Sequence, residues 1–127
     1  MSTRANIIIK DGVKNVYLYQ HHDGYICGGL GDALTLVCPH YFNKGYSVEE
    51  IVKRLVKEQH SHKLFVSPLS EFNIKPTSGI HGDIEFLYEI DIRNKVLLGY
   101  ERTDWDIYPN EYKRWKVENL IEELLKY

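Results

Sequence analysis

Ile84, Phe86, Tyr88 and Ile90 alternate with Glu85, Leu87, Glu89 and Asp91, and this period of two constrains the fold more than any other stretch. Side chains along a strand point to opposite faces in turn, so such a run reads as a strand with one buried face. Arg93-Asn94 predicts a tight turn, and Val96-Leu97-Leu98-Gly99-Tyr100-Glu101 returns as the second arm of a hairpin. The carboxylates on the outer side predict that this hairpin keeps one face in water.

A first hairpin precedes it. Asn6-Ile7-Ile8-Ile9-Lys10 is short and β-branched, stops at Asp11-Gly12, and is answered by Val16-Tyr17-Leu18-Tyr19-Gln20-His21. Alternation carried onward would set His21 and Asp23 on one side and His22 on the other, until Asp23-Gly24 breaks the strand. Leu30, Ala33, Leu34 and Val37 then recur at helical spacing, and Pro39 predicts an end or kink at Cys38. A second helix carries its own start signal: Ser47 and Glu50 form a capping box and Tyr46 staples onto Ile51. Its buried stripe is Val48, Ile51, Val52, Leu55 and Val56, with Lys53, Arg54, Lys57 and Glu58 toward water.

Leu64-Phe65-Val66 is compatible with a short strand, and Ser67 to Gly82 reads as an ordered loop. Val117, Leu120, Ile121, Leu124 and Leu125 define a last amphipathic helix. The expected fold is therefore α+β in a single domain spanning residues 1–127. It has an antiparallel sheet of two β-hairpins, with a fifth strand as an option, and about three helices packed on one face.

A chain of 127 residues with 43% hydrophobic and 27% charged residues needs neither metal nor disulfide to fold. A net charge of −2 argues against a chain-wide drive onto nucleic acid or anionic membrane. The apolar runs are far short of the ~20 residues of a membrane span, and Met1-Ser2-Thr3-Arg4 leads directly into a strand pattern. Cytoplasmic residence with Cys27 and Cys38 reduced is the expectation. The one excess is tyrosine, 10 against 4 phenylalanines, a residue suited to half-exposed sheet faces and interfaces.

Chemistry-bearing residues gather at the first reversal, His21-His22-Asp23-Gly24-Tyr25, with Arg4 on the paired strand. Arg4, His21, Asp23, Gly24 and Tyr25 are the candidate ligand-binding set, for a small ligand or a phosphoester. Gly28-Gly29-Leu30-Gly31 before a helix can bring backbone N–H groups to an anion, although it lacks the lysine and hydroxyl of a phosphate loop. His21 with Asp23, and His60 with His62, are short metal-type pairs without a matching second pair, so no metal and no cofactor is expected. The pattern contains no complete catalytic constellation, and no catalytic residue is assigned. Asp104, Trp105, Asp106, Tyr108, Glu111 and Tyr112 combine carboxylates with rings and are the candidate partner-binding set.

Ser2-Thr3-Arg4-Ala5-Asn6-Ile7, followed by Tyr19-Gln20-His21-His22-Asp23-Gly24-Tyr25, resembles a group of small uncharacterised proteins from bacteria and their phages. Those look like S-T-R-A-x-I leading, one hairpin later, into Y-x-H-x-D-G-Y, and look similar again around Asp83 to Ile90. Ile26 stands here where proline often follows that tyrosine. The resemblance implies a single domain in a bacterial or phage context and carries no activity. The resulting expectation is a non-enzymatic interaction protein of phage or mobile-element type. Its target is a host protein or nucleoprotein complex, with inhibition of a defence system such as a CRISPR effector as one form. A homodimer burying its tyrosine faces is the plainer alternative.

Overall fold

The computed structural model describes residues 3–58 and 72–121. Strand β1 (Ala5–Lys10) turns through Asp11-Gly12 into β2 (Asn15–Gln20). The Asp11 carboxylate accepts the Val13 and Lys14 N–H groups at 2.9 and 2.7 Å, and Gly12 takes a positive φ of 92°. That is the turn chemistry Asp-Gly is suited to. The second hairpin, β4 (Phe86–Asp91) and β5 (Val96–Glu101), follows a three-residue β3 (Lys75–Thr77), and β6 (Lys116–Asn119) closes the series.

These make one six-stranded sheet in the order β3-β2-β1-β4-β5-β6. Both hairpins form as expected, but the sheet is mixed rather than antiparallel. β1 and β4 lie side by side in parallel, with Ile7 opposite Tyr88 and Ile9 opposite Ile90. Local turns decide pairing within a hairpin; which edge meets which is decided by the chain that connects them. Here β3 runs in the direction of β1, and residues 78–85 return the chain to the end of the sheet where β1 starts, so β4 also enters in the direction of β1. The central position also explains why β1 reads as a continuous apolar run: both of its faces are covered.

One face carries the helices. α1 (Leu30–Lys44) and α2 (Val48–Glu58) bury Leu34, Tyr41, Ile51 and Leu55 against Ala5, Ile7, Ile9, Leu18, Tyr88 and Ile90. α1 does not stop at Cys38. It runs through Pro39 and ends at Gly45, whose φ of 68° lets its N–H reach Phe42 O and that of Tyr46 reach Tyr41 O. The proline costs about 3 kcal/mol through a lost N–H and ring crowding. Burial of Val37, Cys38, Tyr41 and Phe42 on one stripe spanning it holds the helix together. α2 starts as expected, with the Ser47 hydroxyl accepting the Glu50 N–H at 3.2 Å.

The opposite face is not left to water. Ile8, Ile84, Leu87, Tyr100 and Trp115 form a second buried cluster, edged by Tyr17, Tyr19, Ile80, Leu98, Ile107 and Tyr112. The carboxylates expected in water are therefore buried: Glu89 is 2% and Asp91 8% exposed. Glu89 survives there because Lys10 pairs with it and the Tyr100 hydroxyl donates to it at 3.0 Å. The Asp91 carboxylate caps the β4–β5 turn, accepting from Asn94 at 3.1 and 2.8 Å.

Two further expectations change. β3 pairs with β2 inside the stretch expected to be loop, its Pro76 sitting at the edge of the sheet where a missing N–H does least harm. Lys116–Asn119, expected at the start of a helix, is strand β6 pairing with β5; helical backbone begins at Leu120, and Leu120 and Ile121 enter the helix-side core. Leu64-Phe65-Val66, His60, His62 and the rest of the expected C-terminal helix lie outside the described residues. No helix among the described residues is long and apolar enough to cross a membrane.

Candidate functional site

Residues 102–115 connect β5 to β6, and Arg102 folds this connection back over the second face of the sheet. Its guanidinium donates to Gly82 O at 3.0 Å, Ile84 O at 3.4 Å, Trp105 O at 3.3 Å and Ile107 O at 3.0 Å. The same planar group lies 4.0 Å from the centre of the Trp105 ring and 5.6 Å from that of Trp115. A planar fork with five donors can satisfy several carbonyls and stack on rings at once, which lysine cannot do. The Arg102 Nε–H and the Trp115 Nε1–H stay buried without an acceptor among the described residues, a cost the stacked arrangement carries.

The remainder of the connection is tied by short-range bonds. The Asp104 carboxylate accepts the Asp106 N–H at 2.9 Å, and Ile107 N–H reaches Asp104 O at 3.2 Å. A 3-10 segment, Pro109–Arg114, follows with Glu111 paired to Arg114 at 2.8 Å. Tyr112 turns inward, edge-on to Tyr100 with ring centres 5.2 Å apart. Burial, then the nearby Glu89 charge, pushes the Tyr112 hydroxyl above its ordinary pKa.

The six candidate residues of this segment thus divide. Tyr112 belongs to the second buried cluster. Trp105 and Tyr108 are 56% and 71% exposed, and Asp104, Asp106 and Glu111 stand in water around them. Sequence reading missed Arg102, which organises them. Its signal was its place, one residue past a strand and between aromatic residues.

The five candidates at the first reversal also divide. β2 ends at Gln20, and Asp23 takes a left-handed φ of 58°, so alternation does not carry Asp23 to the side of His21. Arg4 and His21 do meet: the Arg4 Nε–H donates to His21 Nδ1 at 3.4 Å, and Tyr19 Oη lies 3.0 Å from the same nitrogen. Arg4 is also paired with Asp83 at 3.0 Å. His81 stacks on Tyr19 at 4.0 Å with 10° between the rings, and the Asn6 carboxamide oxygen holds the His81 N–H at 2.8 Å. His81 and Asp83 were not singled out in the sequence, since their stretch has no periodic pattern and a contact of large separation brings them here.

Gly24 is buried, its N–H donating to Thr3 O at 2.9 Å, while its carbonyl accepts the Tyr88 hydroxyl at 2.5 Å. Tyr25 goes to the helix-bearing face, against Phe86. The glycines before α1 serve backbone packing. Leu30 N–H and Gly31 N–H donate to Asp23 O and Tyr25 O at 2.8 and 2.9 Å, and Gly28 N–H to the Asp32 carboxylate at 2.7 Å. These donors are turned to the chain's own acceptors rather than to an anion.

Cys27 is exposed and Cys38 buried, its thiol pushed up by burial. Among the described residues no three His, Cys, Asp or Glu side chains converge on a point suited to a metal ion. No family model, curated protein or solved structure matches the chain.

Proposed function

We propose that the protein is a binding module whose contact surface is the β5–β6 connection, with Trp105 and Tyr108 as anchors and Asp104, Asp106 and Glu111 around them. One observation carries this reading. Two large rings stand in water on a connection in which Arg102 ties the Trp105 and Ile107 carbonyls to those of Gly82 and Ile84. Exposed aromatic residues on a floppy loop lose ordering entropy on binding; rings held in place beforehand do not. Tryptophan and tyrosine are also the residues most often found to dominate interface energies.

The surrounding carboxylates select a basic partner surface and would speed its approach at low salt. A cleft built to hold nucleic acid is such a surface. The resemblance to small bacterial and phage proteins supports placing that partner in a bacterial host, where a nucleic-acid-guided defence complex fits the chemistry.

The test is capture from a bacterial host lysate by immobilised protein, beside a Trp105→Ala/Tyr108→Ala variant. The expected result is a stoichiometric partner held at low salt, released at high salt, and absent from the variant although it remains folded with a cooperative melt. A lysate that yields nothing, or equal capture by both proteins, ends the proposal.

The contact of Arg4 with His21 favours a second reading, a small anionic-ligand site on the same face as the connection. Its expected signature is a ligand mass retained in native mass spectrometry and lost in an Arg4→Ala/His21→Ala variant that remains folded. Retention by that variant excludes the pair.

A further inference from the structure

At the base of the same connection, on the helix-bearing face, the chain leaves an open cleft of about 320 Å³. Ile26, Tyr25 and Phe86 supply its apolar and aromatic walls, and Glu101, Lys116 and Glu118 its charged rim. The volume sits at the lower end of the roughly 300–1,000 Å³ typical of small-molecule sites, about right for one side chain with its stem.

The position follows from register. Glu101 opposes Lys116 and Gly99 opposes Glu118 across the β5–β6 pair, so all three charged residues share the face of Gly99. Gly99 has no side chain, and Ile26 reaches over it: a Cβ built there would lie 3.5 Å from Ile26 Cδ1 and 3.3 Å from Leu120 Cδ1. The reversal that carries Tyr25 and Ile26 thus forms one wall, and the β5–β6 rim the other.

We propose that this cleft binds a guanidinium group on an apolar stem, namely an arginine side chain of another protein. Two carboxylates face one ammonium. Lys116 lies 4.0 Å from Glu101, and among the described residues no cation pairs with Glu118. Among the described residues the rim therefore keeps one uncompensated negative charge. Tyr25 and Phe86, tilted at 59° with centres 6.1 Å apart, offer ring faces and edges beside it. A guanidinium is planar, weakly hydrated, stacks on rings and can fork onto a carboxylate. An ammonium is compact and strongly hydrated, and an anion meets net repulsion.

A protein source fits better than a free amino acid. Lys116 and Glu118 lie on β6, an outer strand of the sheet, where an extended chain can lie alongside, while the α-carboxylate of free arginine would face Glu118. This site lies on the other face from Trp105 and Tyr108 and does not depend on them.

The test is a backbone-amide NMR titration of the whole protein with N-acetyl-arginine methylamide. Its citrulline counterpart has the same shape and no charge. Expected are shifts centred on Tyr25 to Cys27 and Lys116 to Glu118, with weak affinity because the rim is partly in water. The citrulline compound and the Glu118→Gln variant should each bind about fivefold more weakly, and Lys116→Met about two- to threefold more tightly. Absence of shifts, equal response to citrulline, or affinities unmoved by both variants overturns the proposal. Tighter binding of free arginine than of the blocked form overturns the assignment to a protein side chain. Since Trp105 and Tyr108 are untouched, failure here leaves the lysate result standing, and the reverse holds too.

Discussion

Arg102 sits over Trp105, 4.0 Å from the centre of its ring, while its N–H groups hold carbonyl oxygens of the connection and of the stretch before β4. A single side chain therefore couples the geometry of the exposed surface to the stability of the sheet beneath it. Arg102→Ala is expected to lower stability by about 2–3 kcal/mol, as charged hydrogen bonds are lost and carbonyls are left unpaired. Arg102→Lys should recover little of it, because an ammonium neither forks nor stacks in this way. Urea unfolding followed by tryptophan fluorescence measures both. Loss confined to Arg102→Ala, with Arg102→Lys at wild-type stability, would contradict the forked arrangement.

Glu89 is a carboxylate inside the second face, held by Lys10 and Tyr100. The Lys10 ammonium is about one third exposed and can turn to water, so the cost of Glu89→Ala comes chiefly from the Tyr100 hydroxyl left without its acceptor and is expected to be about 1–3 kcal/mol. Replacing all three together, with Lys10→Met, Glu89→Leu and Tyr100→Phe, should restore most of that, since no buried polar group is then orphaned. The comparison of urea midpoints at constant slope decides it.

Stability should fall in alkali, and the sign follows from the groups involved. The hydrogen bond that the Lys10 ammonium donates to Glu89 holds it above its ordinary pKa. Its contribution is complete below the unfolded value of about 10.4 and is lost as pH rises through the raised folded value. Burial pushes up Tyr88, Tyr100 and Cys38. The unfolded chain releases these protons first, from about pH 8.5 for the thiol and about pH 10 for the phenols, so it binds fewer protons than the folded one. Unfolding free energy should decline above about pH 8.5 and more steeply above about pH 10. Cys38→Ala should remove the earlier part of the decline. A profile that rises through this range would refute the assignment.

Gly31, in the first turn of α1, and Gly82, shortly before β4, should respond unequally to a methyl group. A Cβ at Gly31 would overlap the Ile26 carbonyl and come within 2.6 Å of Ile26 Cα, both backbone atoms that have nowhere to move. Gly31→Ala is expected to cost about 2–4 kcal/mol, at or above the usual range for overpacking because rigid backbone is involved. Gly82→Ala meets nothing within 4 Å and should stay within about 0.5 kcal/mol of wild type. Thermal melts of the two variants side by side give the answer.

Much of this architecture was legible in the sequence because it depends on neighbours along the chain. The two hairpins follow from period-two runs flanking Asp11-Gly12 and Arg93-Asn94, and α2 follows from Ser47, Glu50 and its apolar stripe. The acidic and aromatic character of residues 104–112 is likewise plain in the letters.

What the tertiary structure alone decided are the relations between distant segments. No local signal states that β1 meets β4 in parallel, that Glu89 is buried beside Lys10, or that His81 stacks on Tyr19. Helical spacing at residues 117–125 competed with a strand pairing that only β5 can offer, and the pairing won at Lys116–Asn119. The physical reason is common to all of these. Propensity and periodicity are properties of a few consecutive residues, whereas burial, charge pairing and strand register are fixed by which surfaces the folded chain brings together.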